Sequence, residues 1–186
     1  MPNPSAHSYT TFETAQGRCA IAWSDAGIAG FLLPAVEGWD GDLRRWLARR
    51  VPNARQSGPS AEISKVIEAA KRYFAGEKID FGDVAIDLGE QEDFFLRIYD
   101  SLRQVGYGRT TTYGALASEL GAGPEAARSV GVAMANNPTP LIVPCHRVLA
   151  AGGKLGGFSA PGGSDTKLKM LELEGVKMQV QTAFDF

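Results

Sequence analysis

Apolar residues recur at helical spacing along the second half of the chain. One stripe ends before Gly106 and the next before Gly121, where glycine is expected just after a helix. The two stripes consist of Phe94, Ile98, Leu102 and Val105, and of Tyr113, Leu116, Ala117 and Leu120. A third helix is predicted from Pro124 to about Ala135, because proline and Glu125 are favoured in a first helical turn. Helix, short glycine-containing turn and helix together predict a helix-turn-helix.

The third predicted helix has an apolar face and a face of small and polar residues. We expect it to bury Ala127, Val130 and Met134 and to expose Ala126, Arg128, Ser129 and Ala133. The segment 136–148 that follows contains three prolines, which are expected to hold the backbone extended. The apolar triplet 141–143 between them requires burial. Cys145 and His146 are therefore predicted to lie in a rigid, half-buried segment.

The first half of the chain combines short β-tending runs with amphipathic helices. The runs Arg18–Trp23 and Ile28–Leu33 flank the turn-forming tetrad 24–27, which predicts a β-hairpin. Two helices are predicted by apolar residues at helical spacing, namely Leu43, Trp46 and Leu47, and Ile63, Val66, Ile67 and Ala70. The composition changes at the acidic connector 79–83. We therefore expect an N-terminal α/β domain with its connector over residues 1–88 and a helical domain over residues 89–186.

Composition and charge narrow the classes of function. The chain has 186 residues, of which 44% are hydrophobic and 22% charged, values typical of a folded globular protein. Its net charge of −2 gives no overall basicity, so a nucleic-acid partner would have to bind through local sites. The N-terminal residues show neither the pattern of a signal peptide nor that of a membrane span. These features predict a cytoplasmic protein that binds no membrane.

The chain has two cysteines and two histidines. Cys19 and Cys145 are expected to be free thiols, with Cys19 in a buried structural role, because nothing indicates an oxidising compartment. Together with His7 and His146 they form no spacing typical of a metal site, so neither a metal nor a cofactor is expected. A lone cysteine is more often a small core residue than a nucleophile. Cys145 by itself therefore does not predict catalysis.

The residues around Cys145 change that interpretation. Several short blocks stand in a fixed order along the chain: Gly106-Tyr107-Gly108, Thr112-Tyr113, Ala126-Ala127-Arg128-Ser129-Val130-Gly131, Asn137-Pro138, Pro140, Pro144-Cys145-His146-Arg147-Val148, Lys167 and Glu174-Gly175. With these blocks, the chain from about Phe94 to Gly175 resembles the O6-alkylguanine-DNA alkyltransferases, also called methylated-DNA–protein-cysteine methyltransferases.

The resemblance implies both a fold and a reaction. The fold would be α+β, with a small ribonuclease-H-like α/β domain followed by a mostly helical, winged helix-turn-helix-like domain. The reaction would be direct-reversal DNA repair, in which an alkyl group moves irreversibly from guanine O6 to Cys145, once per molecule. Thymine O4 would be a second candidate donor. In the family, a water links this thiol to His146, and Glu174 orients the histidine. The partner would be double-stranded DNA, bound by a monomer.

The resemblance also implies which residues hold the base and the DNA. Tyr113 would contact guanine N3, and the backbone at Ser159 would lie near O6. The carbonyls of Cys145 and Val148 would accept from the exocyclic amine. Other residues implied around the base are Met134, Asn137, Pro140, Gly156, Phe158 and Lys167. Arg128 would take the place of the rotated base, on a helix whose small residues let it enter the narrow minor groove. Those small residues are Ala126, Ala127, Ser129 and Gly131.

Two further observations concern DNA and base binding. Between residues 94 and 163, six lysines and arginines and three acids give a local net charge of +3. This predicts weak, salt-sensitive and largely sequence-independent binding. Phe158 stands where family members commonly have tyrosine, and the segment 159–165 is longer than usual. The far wall of the base pocket is thus expected to differ from that of many relatives.

Plainer interpretations exist for each residue taken alone. Tyr113 would be a core aromatic residue, His146 a structural histidine, Glu174 an exposed helix residue, and the alanine-rich helix a tightly packed one. Three rival functions also remain. A lesion-recognition module would lack the reactive cysteine, and Cys145 argues against it. A cysteine hydrolase would turn over an acyl substrate repeatedly, and a thiol-based transcriptional sensor would bind specific DNA sequences in a manner that changes on oxidation.

Overall fold

A computed structural model describes residues 3–35 and 38–178 of the chain. The first part forms a four-stranded sheet with the strand order β3-β2-β1-β4. Its strands are β1 (Ser8–Thr14), β2 (Gly17–Ser24), β3 (Gly27–Ala35) and β4 (Arg55–Gln56). β2 pairs antiparallel with both β1 and β3, whereas β4 runs parallel to β1. The predicted hairpin is confirmed as β2 and β3. β1 was missed, because its serine and threonine residues form no apolar run.

Two helices cover the two faces of this sheet. They are α1 (Trp39–Arg50) and α2 (Ala61–Phe74), at the positions that the apolar spacing predicted. Successive β2 residues point to opposite faces, so Ile21 packs in the core that contains α2, and Ala20 in the core that contains Trp46 of α1. A Cβ at Gly30 would lie 2.9 Å from the Trp46 ring, so only glycine lets α1 approach this closely.

The second part is mostly helical. Its elements are α3 (Asp93–Arg103), β5 (Thr111–Thr112), α4 (Tyr113–Glu119), α5 (Ala127–Asn136), β6 (Val148–Leu149) and α6 (Gly163–Leu173). α3, α4 and α5 share one core, which includes Ile98, Leu116 and Val130. All three helices predicted in this half are confirmed, although the third begins with a 3-10 turn over Pro124–Ala126. The two short strands β5 and β6 pair in parallel. The fold is therefore mixed α+β, with an N-terminal sheet followed by helices.

Two local predictions for this half were wrong. Ala133 is fully buried, whereas its neighbour Val132 is 47% exposed; Ala133 faces α3, whose Tyr99 hydroxyl donates to the Ala133 carbonyl. The segment 136–148 is also not simply extended, because Leu141 has a φ of 77° and Cys145–Arg147 form a 3-10 turn. Asn137 explains the bend. Its side-chain amide donates to the Val143 carbonyl over 2.8 Å, and its side-chain oxygen accepts from the backbone N–H of Thr139.

The cores connect the two halves. Leu141, Ile142 and Met170 pack in the same cluster as residues of the sheet and α2. The division near residue 88 remains a prediction, and this shared cluster gives the N-terminal half direct contact with the segment that carries Cys145. None of the helices in residues 3–35 and 38–178 has the length and apolar character needed to cross a membrane.

Candidate active site

Cys145 begins the 3-10 turn that precedes β6, and its side chain is almost enclosed. The residue is 5% exposed and packs in the core formed by α3, α4 and α5. It also lines two cavities. The first, called the inner pocket, has a volume of about 330 Å³ and is lined by Tyr113, Gly131, Met134, Ala135, Cys145, Gly157, Phe158 and Ser159. The sulfur therefore lies at the wall of a cavity large enough for a small ligand.

His146 and Glu174 form a fully buried pair behind the cysteine. The His146 Nε2 and Glu174 Oε1 atoms are 2.7 Å apart, and neither side chain has exposed surface. Glu174 occupies this position because it is the C-cap of α6, directly before Gly175, whose φ of 78° ends the helix. The expectation of an exposed Glu174 for an isolated helix residue does not apply, since the helix end is turned inward.

Other donors hold the Glu174 carboxylate in place. The Tyr73 hydroxyl donates to Oε1 over 2.7 Å, and the Gly108 backbone N–H donates to Oε2 over 3.0 Å. Arg147 donates from Nε to Oε2 and from Nη2 to Oε1, each over 3.0 Å. Gly108 has a φ of 73°, and a Cβ there would lie 3.0 Å from the Glu174 carbonyl oxygen, so glycine is needed for this approach.

The electrostatics of this pair define the state of the histidine. Burial alone would raise the pKa of Glu174, but hydrogen bonds and charges from His146 and Arg147 outweigh it and lower that pKa to about 2. Burial lowers the pKa of His146, against the influence of Glu174. An ionised carboxylate can only accept, so the neutral imidazole must carry its proton on Nε2. Its Nδ1 atom then has a free lone pair.

His146 Nδ1 is buried and has no hydrogen-bond partner among the described residues. An unpaired buried polar atom is costly, so this one indicates a position that a bound water would satisfy. Burial also raises the pKa of the Cys145 thiol to about 11, although Asn137 and Lys167 act in the opposite direction. At neutral pH the thiol is therefore protonated. A reaction at the sulfur would therefore need a base that removes the thiol proton, and Nδ1 of His146 has the required lone pair.

Most residues that the sequence predicted around a base do lie near Cys145. Tyr113, Met134, Phe158 and Ser159 line the inner pocket. Asn137 and Pro140 instead line a second, larger cavity that also reaches Cys145. Val148 and Gly156 do not line either cavity, although a Cβ at Gly156 would lie 3.7 Å from the Tyr113 ring.

Lys167 is buried below the inner pocket. Its ammonium group donates to the Val148 carbonyl over 2.6 Å and to the Gly157 carbonyl over 3.3 Å. It also lies 5.9 Å from the centre of the Tyr113 ring. Burial lowers the pKa of Lys167 to about 8. The lysine thus joins β6 to the Gly157 segment and to Tyr113 of α4, and both Gly157 and Tyr113 line the inner pocket.

The residues predicted to contact DNA lie in the first half of α5 and in the 3-10 turn before it. Arg128 is exposed, and Ala126, Ala127, Ser129 and Gly131 are partly exposed. A Cβ at Gly131 would meet no atom within 4 Å, so this side of the helix is open. Arg147 is different, because it was counted among the local positive charges but is only 3% exposed. Its guanidinium forms ion pairs with Glu174 and, over 3.2 Å, with Asp80.

Sequence reasoning missed three side chains of this network, the buried Tyr73 and Arg147 and the half-exposed Asp80. Tyr73 lies on α2, in the other half of the chain, and its only sequence signal is its place at the end of an amphipathic helix. Arg147 follows directly after Cys145 and His146, which could have suggested a role beside them. Cys19, by contrast, is fully buried as predicted, and burial raises the pKa of its thiol.

Comparisons with known proteins identify the family of the chain. The family model "6-O-methylguanine DNA methyltransferase, DNA binding domain" matches residues 93–176. A methylated-DNA–protein-cysteine methyltransferase of Methanothermobacter thermautotrophicus is 30% identical over 161 residues, which cover 87% of this chain and 81% of that one. The chain belongs to the methylated-DNA–protein-cysteine methyltransferase family.

Two further relatives are informative. The crystal structure of Mycobacterium tuberculosis OGT in complex with DNA superposes with a TM-score of 0.73 at 32% identity, over 90% of this chain and 92% of that one. A "DNA base-flipping protein" of Thermus thermophilus is 45% identical over 130 residues, which cover 68% of this chain and 85% of that one. Alignments with methyltransferases of Mycobacterium bovis and Mycolicibacterium paratuberculosis span 65% and 62% of their lengths. The proteins similar to this chain thus include several named as methyltransferases and one named for base flipping.

Proposed function

We propose that this protein repairs alkylated DNA by moving an alkyl group from guanine O6 to the sulfur of Cys145, irreversibly and as a monomer. The observation that carries the proposal is the position of Cys145. Cys145 lines the inner pocket, and the adjacent His146 has an unpartnered Nδ1 atom while its Nε2 atom is held by Glu174. This is the arrangement of a nucleophile, a base and an orienting group.

The proposed reaction balances without a cofactor. The thiol proton passes through a water to Nδ1 of His146, and the sulfur attacks the alkyl carbon. One S–C bond forms as the O6–C bond breaks, and the proton is finally taken up by the departing guanine. Because the product is a thioether without a leaving group that water could displace, each molecule acts once. We include a bridging water because consecutive residues of a 3-10 turn, with three residues per turn, point in directions about 120° apart.

Base recognition would use both side chains and backbone. Tyr113 lines the inner pocket with Cys145 and would donate its hydroxyl to guanine N3, while the backbone at Ser159 would lie near O6. Of the two carbonyls implied for the exocyclic amine, that of Cys145 belongs to a residue that lines the inner pocket, whereas Val148 lines neither cavity and its carbonyl accepts from Lys167. Donors aimed at N3 and O6 stabilise the negative charge that develops on the base as the alkyl group leaves.

DNA binding would place α5 in the minor groove. That groove is about 6 Å wide and a helix with side chains is about 10–12 Å across, so the helix face must be narrow. The partly exposed Ala126, Ser129 and Gly131 satisfy this need, and the exposed Arg128 would fill the space left by the rotated nucleotide.

A second candidate function is lesion recognition without transfer. The 45% identity to a protein named for base flipping favours it. Binding and rotation of the base require α5 and the pocket but no reactive thiol. Cys145, placed beside an unpartnered base, favours transfer instead.

A stoichiometry measurement tests the proposal. The protein is incubated with excess duplex DNA that carries a single O6-methylguanine, and peptide mass spectrometry locates the methyl groups. We expect one methyl per molecule on Cys145, none on Cys19, and no further activity. Cys145→Ala should still bind the duplex without transfer. Turnover beyond one equivalent, or no methylation of Cys145 despite DNA binding, would refute suicide transfer. A matched duplex with O4-methylthymine tests the second donor.

A further inference from the structure

A groove connects Cys145 to the N-terminal helix α1. This cavity, here called the α1 groove, has a volume of about 540 Å³. Arg45, Arg49 and Arg50 of α1 line one side of it, and residues 158–161 line the other. It shares Met134, Cys145, Phe158 and Ser159 with the inner pocket. A nucleotide whose base occupies the inner pocket would therefore have this groove beside it.

The α1 groove carries positive charge. Arg45 pairs with Asp42, but neither Arg49 nor Arg50 forms an ion pair with a carboxylate in residues 3–35 and 38–178. Arg50 donates to the carbonyls of Asn136, over 3.0 Å, and Ala135, over 3.5 Å, at the C-terminal end of α5. These bonds fix the arginine-rich end of α1 against the end of the helix that is proposed to read DNA. Arg49 is exposed beside this anchor.

The helical half itself supplies fewer accessible cations than its sequence suggests. Arg147 is buried and paired with Glu174. Arg103 donates to backbone carbonyls of residues 81, 82 and 84. A protein that binds a polyanion needs cations along the path of the backbone. The α1 groove, which shares Cys145 with the inner pocket, provides such cations.

We propose that Arg49, with Arg45 beside it, binds backbone phosphates of the DNA strand that carries the lesion, beyond the C-terminal end of α5. This rests on the proposed function, since it assumes that a DNA nucleotide enters the inner pocket. Guanidinium groups suit this task because their planar donors match phosphate oxygens. The N-terminal half would then contribute directly to DNA affinity.

The spacing along α5 fits such a contact. Arg128 and Ala135 are seven positions apart, which corresponds to a rise of about 10 Å in a helix. Successive phosphates of one strand are separated by about 3.4 Å along the duplex axis. A helix that lies along the minor groove would cover at most about three nucleotides of one strand over this rise. One strand can be held at both places.

The salt dependence of binding to a duplex with one O6-methylguanine tests the proposal, measured in a Cys145→Ala background so that no transfer occurs. Each phosphate contact contributes about 0.9 to the slope of log K against log salt concentration. Arg49→Gln should lower the magnitude of the slope by about that amount. Arg44→Gln is the matched control, because Arg44 has the same charge and is exposed on the same helix but does not line the groove. Equal slopes for the two variants would overturn the proposal.

Neutral methylphosphonates placed one at a time on either side of the lesion locate the contact. At the phosphate that Arg49 binds, the modification and Arg49→Gln should not weaken binding additively. Additive effects at every position would refute the assignment. The reaction of Arg49→Gln with free O6-benzylguanine should be unchanged, since that substrate has no phosphate. If wild-type protein fails to transfer the alkyl group, transfer fails as the function, whereas the slopes of the Cys145→Ala proteins on the lesion duplex still decide the role of Arg49.

Discussion

Gly131→Ala should stabilise the protein and weaken its binding to DNA. Gly131 lies inside α5, and a Cβ there would meet no atom within 4 Å. Replacing glycine by alanine in a helix interior is worth roughly 0.5–1 kcal/mol. For a chain of this size, each kcal/mol corresponds to a shift in Tm of about 2–4 °C. We therefore expect Tm to rise by about 1–4 °C.

The same methyl group should have the opposite effect on DNA binding. If α5 enters a groove narrower than the helix itself, the added carbon must overlap with the DNA. Overpacking of a close contact typically costs about 1–3 kcal/mol, which corresponds to roughly 5- to 150-fold in affinity. Gly131→Leu should weaken binding further. A change that only loosened the fold would lower Tm and binding together, so the opposite signs identify the role of this face.

The assays are thermal unfolding, equilibrium binding to a duplex with fluorescence anisotropy, and the reaction rate with free O6-benzylguanine. Gly131 lines the inner pocket, so the last assay reports whether the pocket itself has changed. Unchanged duplex affinity with a raised Tm would refute the placement of this face of α5 against DNA. A lowered Tm would refute the conclusion that the Cβ position is open.

Three further predictions concern the buried network and Arg128. Tyr73→Phe removes a hydrogen bond to a buried carboxylate and should lower the free energy of unfolding in urea by about 1.5–3 kcal/mol. Acidification should destabilise the protein. In the folded protein the pKa of Glu174 is lowered from 4.5 to about 2, and burial lowers the pKa of His146. The unfolded chain therefore binds protons at both groups before the folded protein does, and stability falls as the pH drops below about 6.5. Urea unfolding at a series of pH values checks this. Arg128→Ala should slow repair of duplex DNA more than reaction with free O6-benzylguanine, because only the duplex requires rotation of the base.

Controls and contradicting results differ among these three. Tyr99→Phe is the matched control for Tyr73→Phe, because the Tyr99 hydroxyl donates to a neutral carbonyl and its loss should cost only about 0.5–1.5 kcal/mol. A larger cost at Tyr99 would contradict the assignment of charge to Glu174. Stability that stays constant or increases from pH 7 to pH 3 would contradict the pKa shifts. Equal slowing of both reactions would remove the special role of Arg128.

Local patterns in the sequence predicted the elements, since the helix stripes and the hairpin depend on residues close to one another. The same reasoning failed where distant residues decide the structure. β1 pairs with β2 and β4 through its backbone, without an apolar pattern of its own. Ala133 is buried because α3 packs against it. The shape of the segment before Cys145 depends on the side-chain hydrogen bonds of Asn137.

The candidate site divides in the same way. Cys145, His146, Glu174 and Tyr113 could be identified because they stand in recognisable blocks of one half of the chain. The structure pairs His146 with Glu174 and places both Tyr113 and Cys145 in the lining of the inner pocket. Arg147 was interpreted as a surface charge, because its burial depends on carboxylates 67 and 27 positions away, at Asp80 and Glu174.

The N-terminal half is more than a support for the helical half. Tyr73 of α2 donates to the carboxylate that orients His146, and Arg50 of α1 holds the last carbonyls of α5. One contact acts on the base that would activate Cys145, and the other on the helix that would read DNA. Each joins residues more than 70 positions apart. A chain that retains Cys145, His146 and Glu174 but lacks α1 and α2 would therefore keep the reacting groups and lose both contacts. We expect such a chain to transfer the alkyl group poorly, because Tyr73 and Arg50 would no longer hold the carboxylate and α5 in place.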